Sequence, residues 1–210
     1  MYKRIRLHSL ILLIMRLLDT IKLDIKINSC SRKATIAVVM FRVAHSVKTR
    51  KYLLARLLGF PVLAIYQLLI VWFWDIDIPS ETEIGVGFNL AHGSKVVIDS
   101  ATKLGNHVSV RQGTTIGNKG AHINSPVIGN HVNIGANCVI TGGISIGNNV
   151  TIGAGTVVTK SIPSNSIAYG NPLKIVGKTI IGKVNPTNFK RIQLVEKQGE
   201  MLNNGLYTSA

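Results

Sequence analysis

The stretch from Ile128 to Val158, IGNHVNIGANCVITGGISIGNNVTIGAGTVV, repeats with a period of six residues. A branched aliphatic residue opens each hexad, and glycine follows four of the six; the openers are Ile128, Ile134, Ile140, Ile146, Ile152 and Val158. This period matches neither an amphipathic helix, with about 3.6 residues per turn, nor the alternation of a half-buried strand. It indicates a chain that turns a corner every six residues.

Three such hexads close one triangular coil, and stacked coils form a solenoid. Each aliphatic residue would point into the prism, while the following glycine permits backbone geometry that a β-carbon resists at a corner. A fully buried Ile or Val contributes roughly 1.5–3 kcal/mol, so the column is stable once neighbouring coils stack. A sandwich of short strands would instead show alternation, with turn signals about every 8–12 residues. The pattern therefore predicts a mainly β chain, built as a parallel β-helix.

Hexads also precede this stretch. The six-residue step connects Ile78, Ile84, Leu90 and Val96, slips by two residues after Val96, and resumes at Ile98, Leu104, Val110 and Ile116. The segment Asn118–Pro126, NKGAHINSP, breaks the step and is predicted to be a loop on one face of the coil. Beyond Val158, the piece Tyr169–Gly177 is predicted to cap the coil. The expected domains are a helical domain over 1–74, the β-helix over 75–177 with the loop at 118–126, and a polar tail over 178–210.

The N-terminal third is basic and reads as helical. The chain of 210 residues has 24 Lys and Arg against 9 Asp and Glu, a net charge of +15. Residues 1–74 hold 13 of these basic and 2 of these acidic side chains, so most of the excess lies there. Apolar residues at helical spacing predict helices over Ile36–Val47 and Lys51–Leu58. Gly59 and Pro61 are predicted to separate them from a last apolar helix ending near residue 74.

This charge asymmetry indicates an anionic neighbour. Basic residues alternate with the apolar runs Ser9–Leu18 and Pro61–Trp74, which favours peripheral contact with a membrane surface. Nucleic acid is not expected, because the segment lacks a zinc-finger spacing and an aromatic RNA-binding signature. Neither run predicts a membrane span, since Arg16 interrupts the first and the second has 14 residues against the roughly 20 required. Helices packed on one another or on a partner subunit remain the alternative.

Targeting and cysteine signals are weak. Lys3, Arg4 and Arg6 precede the first apolar run, but no small-residue cleavage site follows, so no cleaved signal peptide is predicted. The two cysteines, Cys30 and Cys138, lack a metal-ligand spacing and form no disulfide framework. The chain is therefore expected in the cytoplasm, with the inner face of the cytoplasmic membrane as the site of any membrane contact.

Several motifs together resemble a known family. The hexads with their loop, NLAHG at Asn89–Gly93, TIG at Thr115–Gly117 and GNPLKIVG at Gly170–Gly177 resemble the hexapeptide-repeat acyltransferases with a left-handed parallel β-helix. Within them the chain is similar to the serine acetyltransferases, which also have an N-terminal helical domain. RQGTTIGNKGA at Arg111–Ala121 and FRVAH at Phe41–His45 are most similar to the colanic acid and capsule acetyltransferases. The resemblance implies an acetyl-CoA-dependent O-acetyltransferase that works as a homotrimer.

The same resemblance assigns catalytic roles. His92 matches the catalytic histidine, and Asp77, fifteen residues earlier, matches the carboxylate that orients it. Fifteen residues is close to one coil, so the two side chains would come from adjacent turns roughly 5 Å apart. Asp75, at seventeen residues, is the alternative. A neutral imidazole would take the proton of an acceptor hydroxyl, the carboxylate would stabilise the imidazolium, and backbone amides including that of Gly117 would meet the oxyanion.

Coenzyme A binding is implied along a groove between neighbouring prisms of a trimer. The backbone of Gly135, Ala136, Gly153 and Ala154 matches the family positions that line this groove. Lys174 matches a basic residue of the closing loop, which would meet phosphate. Acetyl-CoA is therefore the expected co-substrate, and no metal is expected.

Two departures from the serine acetyltransferase pattern concern the acceptor. Ala91 replaces an Asp before the catalytic histidine, and Ser125 replaces a His before Pro126 of the loop. Losing a charge-assisted partner costs roughly 1.5–3 kcal/mol each, which weakens recognition of free serine. We therefore expect a sugar hydroxyl of a capsular or other surface polysaccharide, or of its precursor, with Ala91, Arg111 and His122 as acceptor contacts. A serine O-acetyltransferase of cysteine biosynthesis and a non-catalytic β-helix scaffold remain the alternatives.

Two other histidines occupy equivalent places in the repeat. His107 lies in LGNHVS and His131 in IGNHVN, so each would fall at the same corner of its coil. We expect both to face solvent without a catalytic role.

Overall fold

The computed structural model describes residues 2–48, 53–118, 120 and 124–178. The chain begins with helices α1 (Tyr2–Ile27), α2 (Arg32–Lys48) and α3 (Leu53–Tyr66), and a π-helix (Gln67–Phe73) continues α3. Within the described part, none of these helices combines the length and the apolar character that a membrane crossing requires. The predicted tail lies outside the described residues from 179 onward.

The helix break predicted at Gly59 and Pro61 is wrong, because α3 runs through both residues. A β-carbon on Gly59 would collide with Val47 of α2, so this glycine lets the two helices approach closely. Pro61 removes one helical hydrogen bond, yet the helix continues. The packing of α3 against α2 therefore stabilises the helix by more than Gly59 and Pro61 destabilise it.

In the described residues fifteen short strands follow and form three sheets, and every pairing among β1 to β14 that is described is parallel. Sheet A contains β1 (Ile76–Asp77), β4 (Val96–Ile98), β7 (Thr115–Gly117), β10 (Val139–Thr141) and β13 (Val157–Val158). Sheet B contains β2 (Glu83–Ile84), β5 (Lys103–Leu104), β8 (Val127–Ile128) and β11 (Ser145–Ile146). Sheet C contains β3 (Asn89–Ala91), β6 (Ser109–Arg111), β9 (Asn133–Ile134), β12 (Thr151–Ile152), β14 (Ser166–Tyr169) and β15 (Lys174–Gly177). Up to β14, successive coils thus pass along each face of a triangular prism in turn, and β15 adds a second strand beside β14 in sheet C.

The hexad openers form the interior of this prism. Ile116 pairs with Ile140 in sheet A, and Ile134 pairs with Ile152 in sheet C. All six openers from Ile128 to Val158 are buried. This arrangement confirms the predicted mainly β fold, a left-handed parallel β-helix of hexapeptide repeats preceded by helices.

The predicted place of the two-residue slip, after Val96, is wrong. Val96 pairs with Ile76, twenty residues earlier, whereas Val97 pairs with Thr115, eighteen residues later. The two extra residues therefore lie before Val96, in the turn 92–95. The sequence misplaces them because each strand has two inward-facing positions, so Val96 is buried although it does not open a hexad.

A second insertion lies between β7 and β8. Lys103 pairs with Val127, twenty-four residues later, so this coil contains six residues more than a regular one. The extra residues fall in the predicted loop 118–126, of which 118, 120 and 124–126 are described. Ser125 Oγ donates to Asp99 Oδ1 at 2.6 Å, which ties the described end of the loop to the preceding coil.

Helix α1 closes the first coil at the exposed edge of sheet C. Asp24 Oδ1 accepts hydrogen bonds from the amides of Gly87 and Phe88, at 2.9 and 3.1 Å. Asn28 accepts from the amide of Leu90 at 2.9 Å and donates to the carbonyl of Phe88 at 2.8 Å. Unpaired edge groups would otherwise cost desolvation energy or recruit another strand.

Arg42 of α2 completes this anchor. Its Nε donates to Asp24 Oδ2 at 2.7 Å, and its two terminal nitrogens donate to the carbonyls of Ile84 and Gly85. Both charged side chains are buried, so removing either one would leave the other as an uncompensated charge in the interior. The helices and coils up to Ile175 belong to one compact unit; a second unit begins at Val176.

Candidate active site

The corner at which sheet C passes into sheet A collects most of the predicted site residues. It is named the site edge here and comprises residues 91–95, 111–113, 135–137 and 153–155. Backbone hydrogen bonds stack these segments, from Gly113 to Ser94, from Asn137 to Gln112 and from Gly155 to Ala136, at 3.2, 2.9 and 2.8 Å. Adjacent coils therefore follow one another along this edge at roughly 4.8 Å per step.

His92 lies at the first segment of the site edge, directly after β3. The turn that carries it is two residues longer than the corresponding turn of the next coil. His92 adopts a left-handed backbone with φ of 65° and is exposed. The same conformation occurs at other corners of the coil, including His107 and His131, so the length of the turn and not its φ distinguishes His92. The insertion thus sets the imidazole apart from the regular corner residues.

Helix α2 supports this turn from behind. The amide of Gly93 donates to the carbonyl of Leu90 at 3.3 Å, and Gly93 itself is buried with φ of 22°. A β-carbon at this position would lie 3.4 Å from Cα of Ala34 in α2. The helical part therefore packs directly against the turn that carries the candidate histidine.

Both candidate carboxylates lie at the start of sheet A. Asp77 is exposed on β1 and pairs with Val97, while Asp75 is an exposed corner residue with φ of 57°. Tyr66 donates its hydroxyl to the carbonyl of Ile78 at 2.6 Å. Burial, together with the negative charge of Asp77, raises the pKa of Tyr66. Tyr66 therefore fixes the backbone beside Asp77 and remains a neutral donor.

Small residues line the later segments of the site edge. Gly135 pairs through its amide with the carbonyl of Ile152, and Gly153 does the same with Ala168. A β-carbon on Gly135 would lie 2.5 Å from the backbone nitrogen of Ala154, so the next coil requires glycine there. Ala136 and Ala154 follow these glycines at the corner. The edge below His92 therefore carries no bulky side chain at these four positions.

Gln112 lies on the same edge, and sequence reasoning missed it. Its backbone carbonyl accepts from Asn137, but its side-chain Oε1 is buried and has no hydrogen-bond partner among the residues that the structure describes. Ala91 pairs with Arg111, so Gln112 follows in the coil next to His92. The register of twenty residues is the signal that would have indicated it. A buried acceptor without a partner is costly unless a ligand or an ordered water meets it, and Thr82, Thr102 and Asn133 carry such oxygens outside the site edge.

Other predicted site residues lie elsewhere. Gly117 ends β7 at the opposite edge of sheet A, so within one chain it does not adjoin His92. Lys174 is exposed at the start of β15 in sheet C. Ala91 and Arg111 form a pair at the site edge, whereas His122 lies outside the described residues.

Thiol and metal chemistry find little support in the described residues. Burial raises the pKa of the Cys138 thiol, which lies inside the prism beneath the site edge. A buried, protonated thiol is a poor nucleophile. Nowhere in the described ranges do three or more His, Cys, Asp or Glu side chains gather in a way that could hold a metal ion.

Comparison with known proteins identifies the family. Residues 125–160 match the family described as bacterial transferase hexapeptide (six repeats). The chain is 39% identical over 155 residues to a protein of Escherichia coli strain K12 named as a colanic acid biosynthesis acetyltransferase, WcaB; the match covers 72% of this chain and 96% of that one.

Solved structures agree with this match. A soybean serine acetyltransferase apoenzyme aligns with a TM-score of 0.62 and 29% identity, over 76% of this chain and 69% of that chain. A serine acetyltransferase in complex with CoA aligns with a TM-score of 0.60 and 26% identity, over 76% and 69% of the two chains. The protein is therefore an acetyltransferase and belongs to the hexapeptide-repeat transferases.

Proposed function

We propose that this acetyltransferase moves an acetyl group from acetyl-CoA to a sugar hydroxyl of a capsular or other surface polysaccharide, or of its precursor. The observation that carries the proposal is the site edge. Its glycine–alanine pairs at Gly135 and Gly153 lie on the same edge of the prism as the lengthened turn that holds His92. The similarity to the WcaB protein supports a sugar acceptor.

In this proposal His92 acts as the general base. Its imidazole is exposed and lacks a hydrogen-bond partner among the described residues, so it is accessible to an acceptor hydroxyl. The hydroxyl oxygen attacks the thioester carbonyl while the imidazole takes its proton, and the thiolate then leaves with that proton. Asp77 stabilises the imidazolium, with Asp75 as the alternative, and no acyl-enzyme intermediate forms.

In this proposal acetyl-CoA lies along the site edge, because an extended pantetheine chain needs a narrow surface without obstructing side chains. The glycine–alanine pairs at Gly135 and Gly153 offer such a surface, and the close contact of Gly135 with Ala154 keeps it narrow. Lys174 would meet phosphate. When bound, acetyl-CoA supplies the activated acyl group.

A homotrimer completes the site in this proposal. Gly117 lies at the edge of sheet A away from His92, so its amide reaches the reacting carbonyl only from a neighbouring chain. Threefold packing of prisms would place that edge of one subunit against the site edge of the next. Sedimentation equilibrium should therefore give the mass of three chains.

The acceptor assignment depends on groups that free serine would need. Ala91 provides no carboxylate beside His92, and Ser125 donates its hydroxyl to Asp99. Arg111, exposed and paired with Ala91, is the charged side chain next to His92 along sheet C. It would contact sugar hydroxyls or an acidic sugar, and His122 would contribute from the loop. Serine O-acetylation remains the second candidate, because the aligned solved structures are serine acetyltransferases.

An acceptor screen tests this proposal. Purified protein would be mixed with acetyl-CoA and a thiol indicator, and then with deacetylated capsular oligosaccharides or with L-serine. We expect thiol release with an oligosaccharide and a matching O-acetyl signal in its NMR spectrum. Rapid thiol release with L-serine alone would overturn the sugar acceptor in favour of the second candidate. Absence of CoA binding and of turnover with every acceptor would select the scaffold alternative.

A further inference from the structure

The segment from Phe60 to Phe73 presents a wide apolar surface to solvent. Six large side chains, here named the apolar face, are 46–79% exposed: Phe60, Ile65, Leu68, Leu69, Trp72 and Phe73. The segment contains no charged residue, and its polar groups are the Gln67 amide, the Tyr66 hydroxyl and the Trp72 N–H. Monomeric soluble proteins rarely expose a contiguous apolar surface of this kind without a binding role.

The opposite side of the same segment is fixed in place. Tyr66 and Ile70 are 2% and 1% exposed in the core, and the Tyr66 hydroxyl holds the carbonyl of Ile78. Rotating the helix to bury the apolar face would break this hydrogen bond and expose these two side chains. The apolar face therefore has no partner among the residues that the structure describes.

Charge identifies the kind of partner. Residues 1–74 carry 13 basic and 2 acidic side chains, and basic neighbours already pair with both acids. Asp24 is buried against Arg42, and Asp19 lies 3.9 Å from Lys22. The excess of basic residues is thus not compensated by the acids of the helices. A second copy of this part would meet like charge, whereas an anionic lipid surface would complement it.

We propose that the apolar face inserts into the interface of an anionic lipid bilayer, with the basic residues of the helices against its headgroups. Trp72 and Phe73 lie next to the first coil and are the most exposed members of the face. Trp is enriched at membrane interfaces, because its ring is apolar and its N–H can meet water. Each Lys or Arg near the surface adds roughly fivefold to partitioning, so charge and insertion act together. The inference does not depend on which acceptor is acetylated.

Vesicle binding by the full chain provides the test. The Trp74→Phe variant leaves Trp72 as the single tryptophan, since the chain has two. With vesicles rich in phosphatidylglycerol we expect its fluorescence to shift to shorter wavelengths and to be quenched by brominated acyl chains. Pure phosphatidylcholine vesicles should bind the protein at least about tenfold more weakly. Added salt should weaken binding to the phosphatidylglycerol-rich vesicles.

A double variant separates insertion from simple charge attraction. Trp72→Ser with Phe73→Ser should lower partitioning to anionic vesicles by roughly tenfold or more, because two inserting rings are lost. The matched control, Val86→Ser with Val127→Ser, changes exposed apolar residues of the coils and should bind like the parent. Circular dichroism would check that both variants keep the parent fold.

Three results would overturn the inference. Equal binding by the double variant and the parent would mean that the apolar face does not insert. An unshifted Trp72 spectrum on anionic vesicles would mean the same. A smaller sedimenting mass of the double variant, with unchanged vesicle binding, would assign the apolar face to contact between copies of the chain.

Discussion

Two edges of the prism carry exposed histidines with a left-handed backbone, but they differ in turn length and in the side chains around the histidines. The site edge carries His92 on a lengthened turn above glycine–alanine pairs. The second edge, where sheet B passes into sheet C, is named the ladder edge and comprises residues 85–87, 105–107, 129–131 and 147–149. There His107 and His131 stack with their ring centroids 4.9 Å apart, both exposed as predicted.

Side chains of the ladder edge satisfy the backbone of neighbouring coils. Asn130 accepts from the amide of Asn106 at 2.7 Å, and Asn148 accepts from the amide of Asn130 at 2.7 Å. The site edge shows the reverse, with small side chains and the unsatisfied oxygen of Gln112. At the ladder edge these side chains thus serve stability, whereas we propose that the oxygen of Gln112 meets a ligand.

The largest expected effect is on turnover at the site edge. His92→Ala should lower kcat by roughly 10²–10⁴-fold, because the general base is lost. His107→Ala, the matched change at the ladder edge, should leave kcat near that of the parent. Steady-state kinetics with the acceptor found in the screen would measure both. An equal loss of kcat in the two variants would contradict the proposal that only the site edge is catalytic.

The largest expected effect on stability lies at the ladder edge. Asp24→Ala removes the acceptor of the Gly87 and Phe88 amides and leaves Arg42 buried without its carboxylate. The free energy of unfolding should fall by about 3–5 kcal/mol, as when one partner of a buried ion pair is removed. Asp19→Ala, which breaks an exposed pair, serves as the control and should change little. Denaturant titration would measure both, and equal stabilities would contradict the anchor.

Gly135→Ala should affect both stability and cofactor affinity. Its new β-carbon would lie 2.5 Å from the backbone nitrogen of Ala154, so the coils must shift at an overpacking cost of roughly 1–3 kcal/mol. Gly177→Ala is the control, since a β-carbon there meets no atom within 4 Å. Thermal unfolding and CoA titration calorimetry would report the two effects. If the Gly135→Ala protein is destabilised but binds CoA with unchanged affinity, Gly135 does not line the CoA-binding groove.

The smallest expected effect sharpens the role of Gln112. Gln112→Met keeps the volume but removes the unsatisfied oxygen, so stability should stay equal or rise by about 1 kcal/mol. If the oxygen meets a ligand, kcat/KM should nevertheless fall by roughly tenfold. Asn133→Leu, which removes another unsatisfied buried oxygen outside the site edge, should keep full activity. A loss of activity in both variants would indicate a general packing effect.

Sequence alone predicts the repeat because its physical cause is local. Each of the openers from Ile128 to Val158 must fill the same narrow interior, so a branched aliphatic residue recurs every six residues in the sequence. The two-residue insertion at 92–95 is misplaced for a related reason: Val96 also points inward, and apolarity alone does not separate the two inward positions. The insertion loop 118–126 is predictable, because its polar residues interrupt that period.

Contacts between residues far apart in the chain could not be predicted from the sequence. Asp24 and Arg42 have the appearance of surface charges on helices, yet they are buried because the first coil offers them backbone partners. The role of Gly59 depends on Val47 of another helix, so it is mistaken for a helix end. Gln112 becomes notable only when the register places it in the coil next to His92.

A crystal structure with bound CoA would test the central claim most directly. In that structure the pantetheine chain should follow the site edge past Gly153 and Gly135. Its thiol sulfur should then lie within roughly 5 Å of the His92 imidazole, close enough for direct proton transfer or transfer through one water. CoA bound along the ladder edge, or a thiol more than about 10 Å from His92, would contradict the account.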